Sequence, residues 1–245
     1  MQRFAIYFSP APETPLARAA AAWLGRDIRG KELQPLPVVS GLDPARLDRL
    51  LQSPRHYGFH ATLKPPFVLK PGSCAEDLDK RLHTHAAGLS AFMLPQLKLA
   101  LLGNFFCLVT QEPPALQKIA ADLVRDFDDL RQPPTAMELE KRRAAGLSPN
   151  QEAMLQAWGY PYVLDEFRFH LTLTGPVTDP KERERVAEEL ERRFPAALLQ
   201  GICFDALSLF REENARPLHC LARYPLAKGD SFLLATRYAG SREAG

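Results

Sequence analysis

The sequence predicts an α+β fold made of two similar halves. Three observations carry that expectation. Apolar residues alternate between the two-residue period of strands and the three-to-four-residue period of helices. The same order of elements, strand, proline-containing loop, helix, strand, turn, strand, recurs at the 110-residue offset separating His60 from His170. Each occurrence opens on the same pattern, Phe59-His60-Ala61-Thr62-Leu63 and Phe169-His170-Leu171-Thr172-Leu173.

In chain order, Arg3 to Phe8 reads as a strand that joins a sheet, with Tyr7 alternating against the apolar Phe4, Ile6 and Phe8. The first motif strand follows, then a helix over Cys74–Leu89, a strand-like run over Phe92–Leu102 and a strand at Phe105–Val109. Leu116, Ile119, Ala120, Leu123, Val124, Phe127 and Leu130 form one stripe of a helix from about Ala115 to Arg131. Residues 133–160 match nothing in the first half: a helix is expected over Ala136–Ala145 and a second after Ser148-Pro149, a capping residue and a proline suited to the first turn. This segment reads as a helical connection, a plain linker in preference to a lid. The second motif strand, a charged surface helix over Asp179–Phe194, and strands at Ile202–Phe210 and Leu218–Ala222 complete the repeat. The whole chain, 1–245, is expected to be one bilobal domain, with lobes at about 40–132 and 161–236.

Composition narrows the function. Hydrophobic residues are 46% and charged residues 24%, as in soluble globular proteins. Lysine and arginine number 31 against 29 acids, so the formal charge of +2 offers no general nucleic-acid-binding field, and any anion must be held locally. The N-terminal apolar run is too short for a signal peptide and no run is long enough to span a membrane, so the expected location is the cytoplasm. Cys74, Cys107, Cys203 and Cys220 are scattered and read as reduced thiols, Cys107 and Cys220 as small buried hydrophobes.

The chemistry lies in the paired motifs. Six histidines and nine threonines would produce about 0.2 His-x-Thr triplets by composition alone, so two at matching places in a repeat need a reason. On a strand His60, Thr62 and Lys64 share one face, and so do Arg168, His170, Thr172 and Thr174, with the apolar neighbours facing the core. Two histidines across a groove can take one proton and give another near neutral pH, and the threonine hydroxyls can hold phosphate oxygens. That scheme needs no metal and no cofactor. Lys64 and Arg168 are candidate phosphate ligands by parity, with solvated strand-end charges as the alternative. Tyr7 and Tyr57 are candidate substrate contacts, with simple packing as the alternative. The His56–His60 spacing would suit zinc on a helix, but Gly58 and the flanking aromatics favour strand. His83 and His85 are expected to be solvated, and His219 structural.

Phe-His-x-Thr-Leu occurring twice resembles the two-histidine (2H) phosphoesterase superfamily. The string Tyr57 to Phe67, together with Arg3 to Phe8, looks like a subgroup encoded alongside bacterial phosphonate-degradation (carbon–phosphorus lyase) genes. The resemblance implies two antiparallel sheets flanking a central cleft, helices outside, and His60, Thr62, His170 and Thr172 lining the cleft. It also implies hydrolysis of a phosphodiester or cyclic phosphate in a small metabolite or nucleotide. The rival readings are a non-catalytic nucleotide or RNA-end binding module and an RNA 2′,5′-phosphodiesterase or ligase, which the near-neutral charge disfavours. Oligomeric state and the roles of the two histidines are not legible from sequence.

Overall fold

The computed structural model describes residues 2–33, 35–144 and 146–228. Strand β1 (Gln2–Phe8) leads to helices α1 (Pro15–Leu24) and α2 (Pro44–Tyr57), strand β2 (Ala61–Phe67) and helix α3 (Ala75–Ala87). Strands β3 (Phe92–Met93), β4 (Lys98–Leu102) and β5 (Phe105–Val109) precede helices α4 (Pro114–Asp126), α5 (Ala136–Arg143) and α6 (Pro149–Trp158). Strand β6 (His170–Thr172), helix α7 (Pro180–Arg193) and strands β7 (Cys203–Phe204), β8 (Ala206–Glu213) and β9 (His219–Pro225) follow. The order β2-α3-β3-β4-β5 thus recurs as β6-α7-β7-β8-β9.

Among the described residues all the paired strands are antiparallel, in three sheets: β2-β1-β8-β9, β4-β5-β6 and the short pair β3-β7. The expected run at Phe92–Leu102 is split into β3 and β4, which is why a third small sheet appears beside the two expected. The stretches 40–132 and 161–236 do not coincide with the sheets. The first motif strand, β2, lies in the sheet of the late hairpin β8-β9, and β6 lies on the early hairpin β4-β5. Each motif strand has therefore crossed to the other half's hairpin, with β1 inserted between β2 and β8. Residues 229–236 lie outside the described part.

Helix starts follow local chemistry. Thr14, Asp43, Ser148 and Asp179 each accept a hydrogen bond from a first-turn amide, and each is followed by proline. The segment around His56, expected as strand, is instead the last turn of α2, which Gly58 terminates. One large core fills the space between sheets and helices. Phe4, Ile6 and Phe8 face it, while Ala5 and Tyr7 on the opposite face of β1 pack with Ile28, Phe210 and Leu218. β1 is buried on both faces. Cys107 is buried, Cys203 and Cys220 are half-buried, and all four cysteines are free thiols. His85, expected in solvent, is half-buried with its ring edge-on to Phe127 at 5.5 Å. No helix among the described residues is long and apolar enough to cross a membrane.

Candidate active site

β2 and β6 are edge strands of their two sheets, and a cleft of about 310 Å³ lies between them. His60, Thr62, His170 and Thr172 all line it, with Tyr7, Tyr57 and Thr174. The two motifs show the same burial alternation: histidine and threonine are half-exposed, and the residues between and after them, Ala61 and Leu63 or Leu171 and Leu173, are buried. Period-two side-chain geometry produces this once the apolar face is pinned to the core. The pins are specific. Ser9 Oγ donates to Phe59 O at 2.8 Å, and Trp23 Nε1 donates to Leu173 O at 2.8 Å. Thr174 Oγ1 accepts from Phe106 N at 3.0 Å.

The histidines are anchored alike. His60 Nδ1 lies 2.8 Å from Gly58 O, and His170 Nδ1 lies 2.8 Å from Arg168 O, in each case the carbonyl two residues upstream. A carbonyl only accepts, so Nδ1 carries the hydrogen and Nε2 of the neutral ring holds the free lone pair. Around His60 that lone pair takes a hydrogen bond from the Thr62 hydroxyl, 3.1 Å away.

Gly58 makes the first anchor possible. Its φ of 77° and ψ of 172° fall in a region that only glycine occupies readily, and they turn the carbonyl back toward His60.

Electrostatics differ between the two rings. His60 is enclosed by Tyr7, stacked with centroids 3.8 Å apart, and by Tyr57 and Phe210 at 6.1 and 6.3 Å. Loss of water around the ring pulls its pKa from 6.5 to about 4; the Gly58 carbonyl opposes the shift and His170 adds to it. His170, 5.8 Å from Phe105, is also lowered by desolvation, but the Arg168 carbonyl and the Glu112 carboxylate both favour its protonated form.

Two expected phosphate ligands are elsewhere. Lys64 is 2% exposed and donates from Nζ to Val124 O at 3.1 Å, so it caps the C-terminal end of α4 from inside the protein. Lys64 does not share the His60 face because the pairing slips: Tyr7 is opposite Thr62, yet Ile6 is opposite Lys64, so one extra residue of β2 turns Lys64 to the core side. Arg168 is exposed, precedes the three-residue β6, and donates to Phe167 O at 2.7 Å and Asp165 O at 3.3 Å within its own loop. Neither lines the cleft. His56 Nε2 lies 3.1 Å from Glu212 Oε1, and the same carboxylate pairs with Arg3. Tyr7 and Tyr57 do line the cleft.

Phe105, Arg142 and Tyr160, which no sequence motif marks as site residues, complete the cleft wall. The latter two belong to the connection between motifs, at the end of α5 and just after α6, so this linker is part of the site. Among the described residues, no aspartate or glutamate lines the cleft, and no group of three or more histidine, cysteine or carboxylate side chains could hold a metal ion.

Fold and cleft define an α+β protein with two matched His-x-Thr strands facing one pocket. The chain belongs to the family described as "Protein of unknown function (DUF1045)", whose model matches residues 62–219 and so includes Thr62, His170 and Thr172. Two curated relatives are named "Ribose 1,5-bisphosphate phosphokinase PhnN". The one from Janthinobacterium sp. (strain Marseille) is 37% identical over 217 residues, 87% of this chain and 48% of the relative. The one from Laribacter hongkongensis (strain HLHK9) is 30% identical over 224 residues, 90% of this chain and 51% of the relative. The chain spans about half the length of these relatives. Similar solved structures include a phosphoesterase, 16% identical with a TM-score of 0.40, covering 93% of this chain and 100% of that one. Another is E. coli LigT complexed with 3′-AMP, 14% identical with a TM-score of 0.41, covering 93% and 99%.

Proposed function

We propose that the cleft is a metal-independent phosphodiesterase site that opens a cyclic phosphate, or cleaves a phosphodiester, in a small metabolite or nucleotide. The observation that carries this reading is the matched pair of histidines, each with Nδ1 fixed on a backbone carbonyl and each followed on its strand by a threonine in the same cleft.

In the proposed reaction a water oxygen attacks phosphorus while His60 Nε2 takes its proton. The bond from phosphorus to the leaving oxygen breaks, and that oxygen receives a proton from Nε2 of protonated His170. One diester and one water become one monoester and one hydroxyl. When substrate enters, the Thr62 hydroxyl turns from His60 Nε2 to a non-bridging oxygen, freeing the lone pair for the water proton, and Thr172 donates to the other as charge grows on them. His60 is assigned as base because its aromatic enclosure keeps it neutral, and His170 as acid because, although burial lowers its pKa as well, the Arg168 carbonyl and then the Glu112 carboxylate oppose that shift. Histidines and threonines suffice for this proton traffic, which is the basis for proposing no metal. A volume near the lower end for small-molecule pockets favours a metabolite over an oligonucleotide.

The curated relatives suggest a setting in phosphonate metabolism. They are named for ribose 1,5-bisphosphate. Opening a 1,2-cyclic phosphate of ribose 5-phosphate at the bond to O2 would produce that compound, so such a cyclic ester is the substrate class proposed. The test is a panel of 2′,3′-cyclic nucleotides, 2′,5′-dinucleotides and phosphoribosyl cyclic phosphates incubated with the protein and EDTA. Turnover that persists under chelation is expected; turnover restored only by added metal would overturn the metal-independent reading.

A further inference from the structure

The cleft contains a cation that the acid–base scheme does not use. Arg142 lies in the last turn of α5, is half-buried, and lines the same cleft as the two histidines. Its guanidinium carbon sits 4.7 Å from the centroid of the Tyr160 ring. Stacking on an aromatic face holds a guanidinium in place while its N–H donors, which lie in the plane, remain available for an anion.

No carboxylate among the described residues forms an ion pair with it, although the Glu138 carboxyl, held below its ordinary pKa first by the Thr135 amide, also feels the Arg142 charge. Glu138, one turn earlier on α5, accepts from Thr135 N at 2.8 Å and Thr135 Oγ1 at 2.9 Å as part of the helix cap. The adjacent Arg143 pairs with Glu152 at 2.6 Å, whereas Arg142 forms no ion pair among the described residues. With no carboxylate lining the cleft among those residues, Arg142 brings a positive charge without a direct ion-pair partner into a small pocket. It also comes from a different element than the motif strands, which already supply donors for the phosphate under attack.

We propose that Arg142, held on Tyr160, binds a second phosphate of the substrate, a phosphomonoester separate from the ester being cleaved. This rests on the phosphodiesterase reading for its role in turnover, but the binding itself can be measured without it. A phosphomonoester dianion matches the planar donor fork, and the aromatic walls suit the sugar or ring between the two phosphates.

The experiment compares ligands that differ by one phosphate. Calorimetry with adenosine 2′,5′-bisphosphate and 2′-AMP should show the bisphosphate bound at least about ten-fold more tightly by the unmutated protein. Arg142→Ala should weaken the bisphosphate at least about ten-fold more than the monophosphate, and Arg142→Lys should restore part of the difference. Equal affinities in the unmutated protein, or an equal loss of both ligands in Arg142→Ala, would overturn the proposal; the latter would place Arg142 on the reacting phosphate. In parallel, 2′,3′-cyclic AMP and its 5′-phosphorylated form are compared as substrates, with a preference for the second that Arg142→Ala abolishes. Absence of turnover with both would count against the phosphodiesterase reading, while the calorimetry would still decide the second phosphate site.

Discussion

The Tyr7 ring lies flat on the His60 ring, with centroids 3.8 Å apart and 23° between planes. β1 reaches the cleft because it is inserted between β2 and β8, which puts Tyr7 directly opposite Thr62 in the ladder. The stack closes one side of the imidazole while the Gly58 carbonyl fixes its edge. Such contacts contribute about 0.5–1.5 kcal/mol beyond burial. Tyr7→Ala should lower kcat by roughly ten-fold or more by loosening His60, and Tyr7→Phe, which keeps the ring, should lose far less. Steady-state kinetics that showed the two variants equally impaired would assign the effect to the hydroxyl instead.

Gly58→Ala tests the anchor itself. An added Cβ has room, since the nearest atoms, Ile28 Cγ2 and Phe210 Cε1, are 3.7 Å away, so the penalty comes from the backbone conformation. It should be about 1–3 kcal/mol. Relaxation of that strain would swing the carbonyl away from His60 Nδ1. The expected outcome is a lower melting temperature together with a fall in kcat greater than the change in KM.

The pH profile follows from the two rings. The base must be neutral, so kcat/KM should fall as pH drops through the His60 value of about 4. The acid must be protonated, so it should also fall as pH rises through the His170 value, which lies below the ordinary 6.5. The maximum for a diester substrate is therefore on the acid side of neutrality. The alkaline limb of kcat should move upward relative to that of kcat/KM, because a bound phosphate anion favours the charged imidazole. A kcat/KM limb centred above 7 would contradict the desolvated geometry.

Lys64 should matter for stability and not for turnover. Burial lowers its pKa from 10.5 to about 8, so the folded protein releases this proton earlier than the unfolded chain. Stability should accordingly rise with pH between about 8 and 10.5. Denaturant titrations of Lys64→Met should lack that rise, and its kcat/KM should stay within about two-fold of the unmutated protein.

Much of the site was legible because it depends on local geometry. A histidine and a threonine two residues apart on a strand share a face whatever the tertiary pairing, and the apolar residues between them state which face is core. The predictions that failed depend on information outside the local pattern. The register slip that turns Lys64 inward is set by β1, more than fifty residues away in the chain, and β6 is too short to carry Arg168 in alternation. The exchange of motif strands between hairpins is likewise a long-range choice. Thr14-Pro15 and Asp43-Pro44 are local start signals of α1 and α2, and α2 continued from Asp43 carries His56 and Tyr57 in its last turn and not in a strand. Arg142 and Tyr160 had no local signature, since they join the cleft only when the connection folds over it.

His60 and His170 are proposed to act as a catalytic pair, so His60→Ala and His170→Ala are the decisive variants. With the protein in EDTA and a cyclic phosphate that it turns over, each substitution should lower kcat by about 10²–10⁴-fold, while the affinity for 2′-AMP changes little. Hydrolysis that survives either substitution within a few-fold would contradict a two-histidine mechanism.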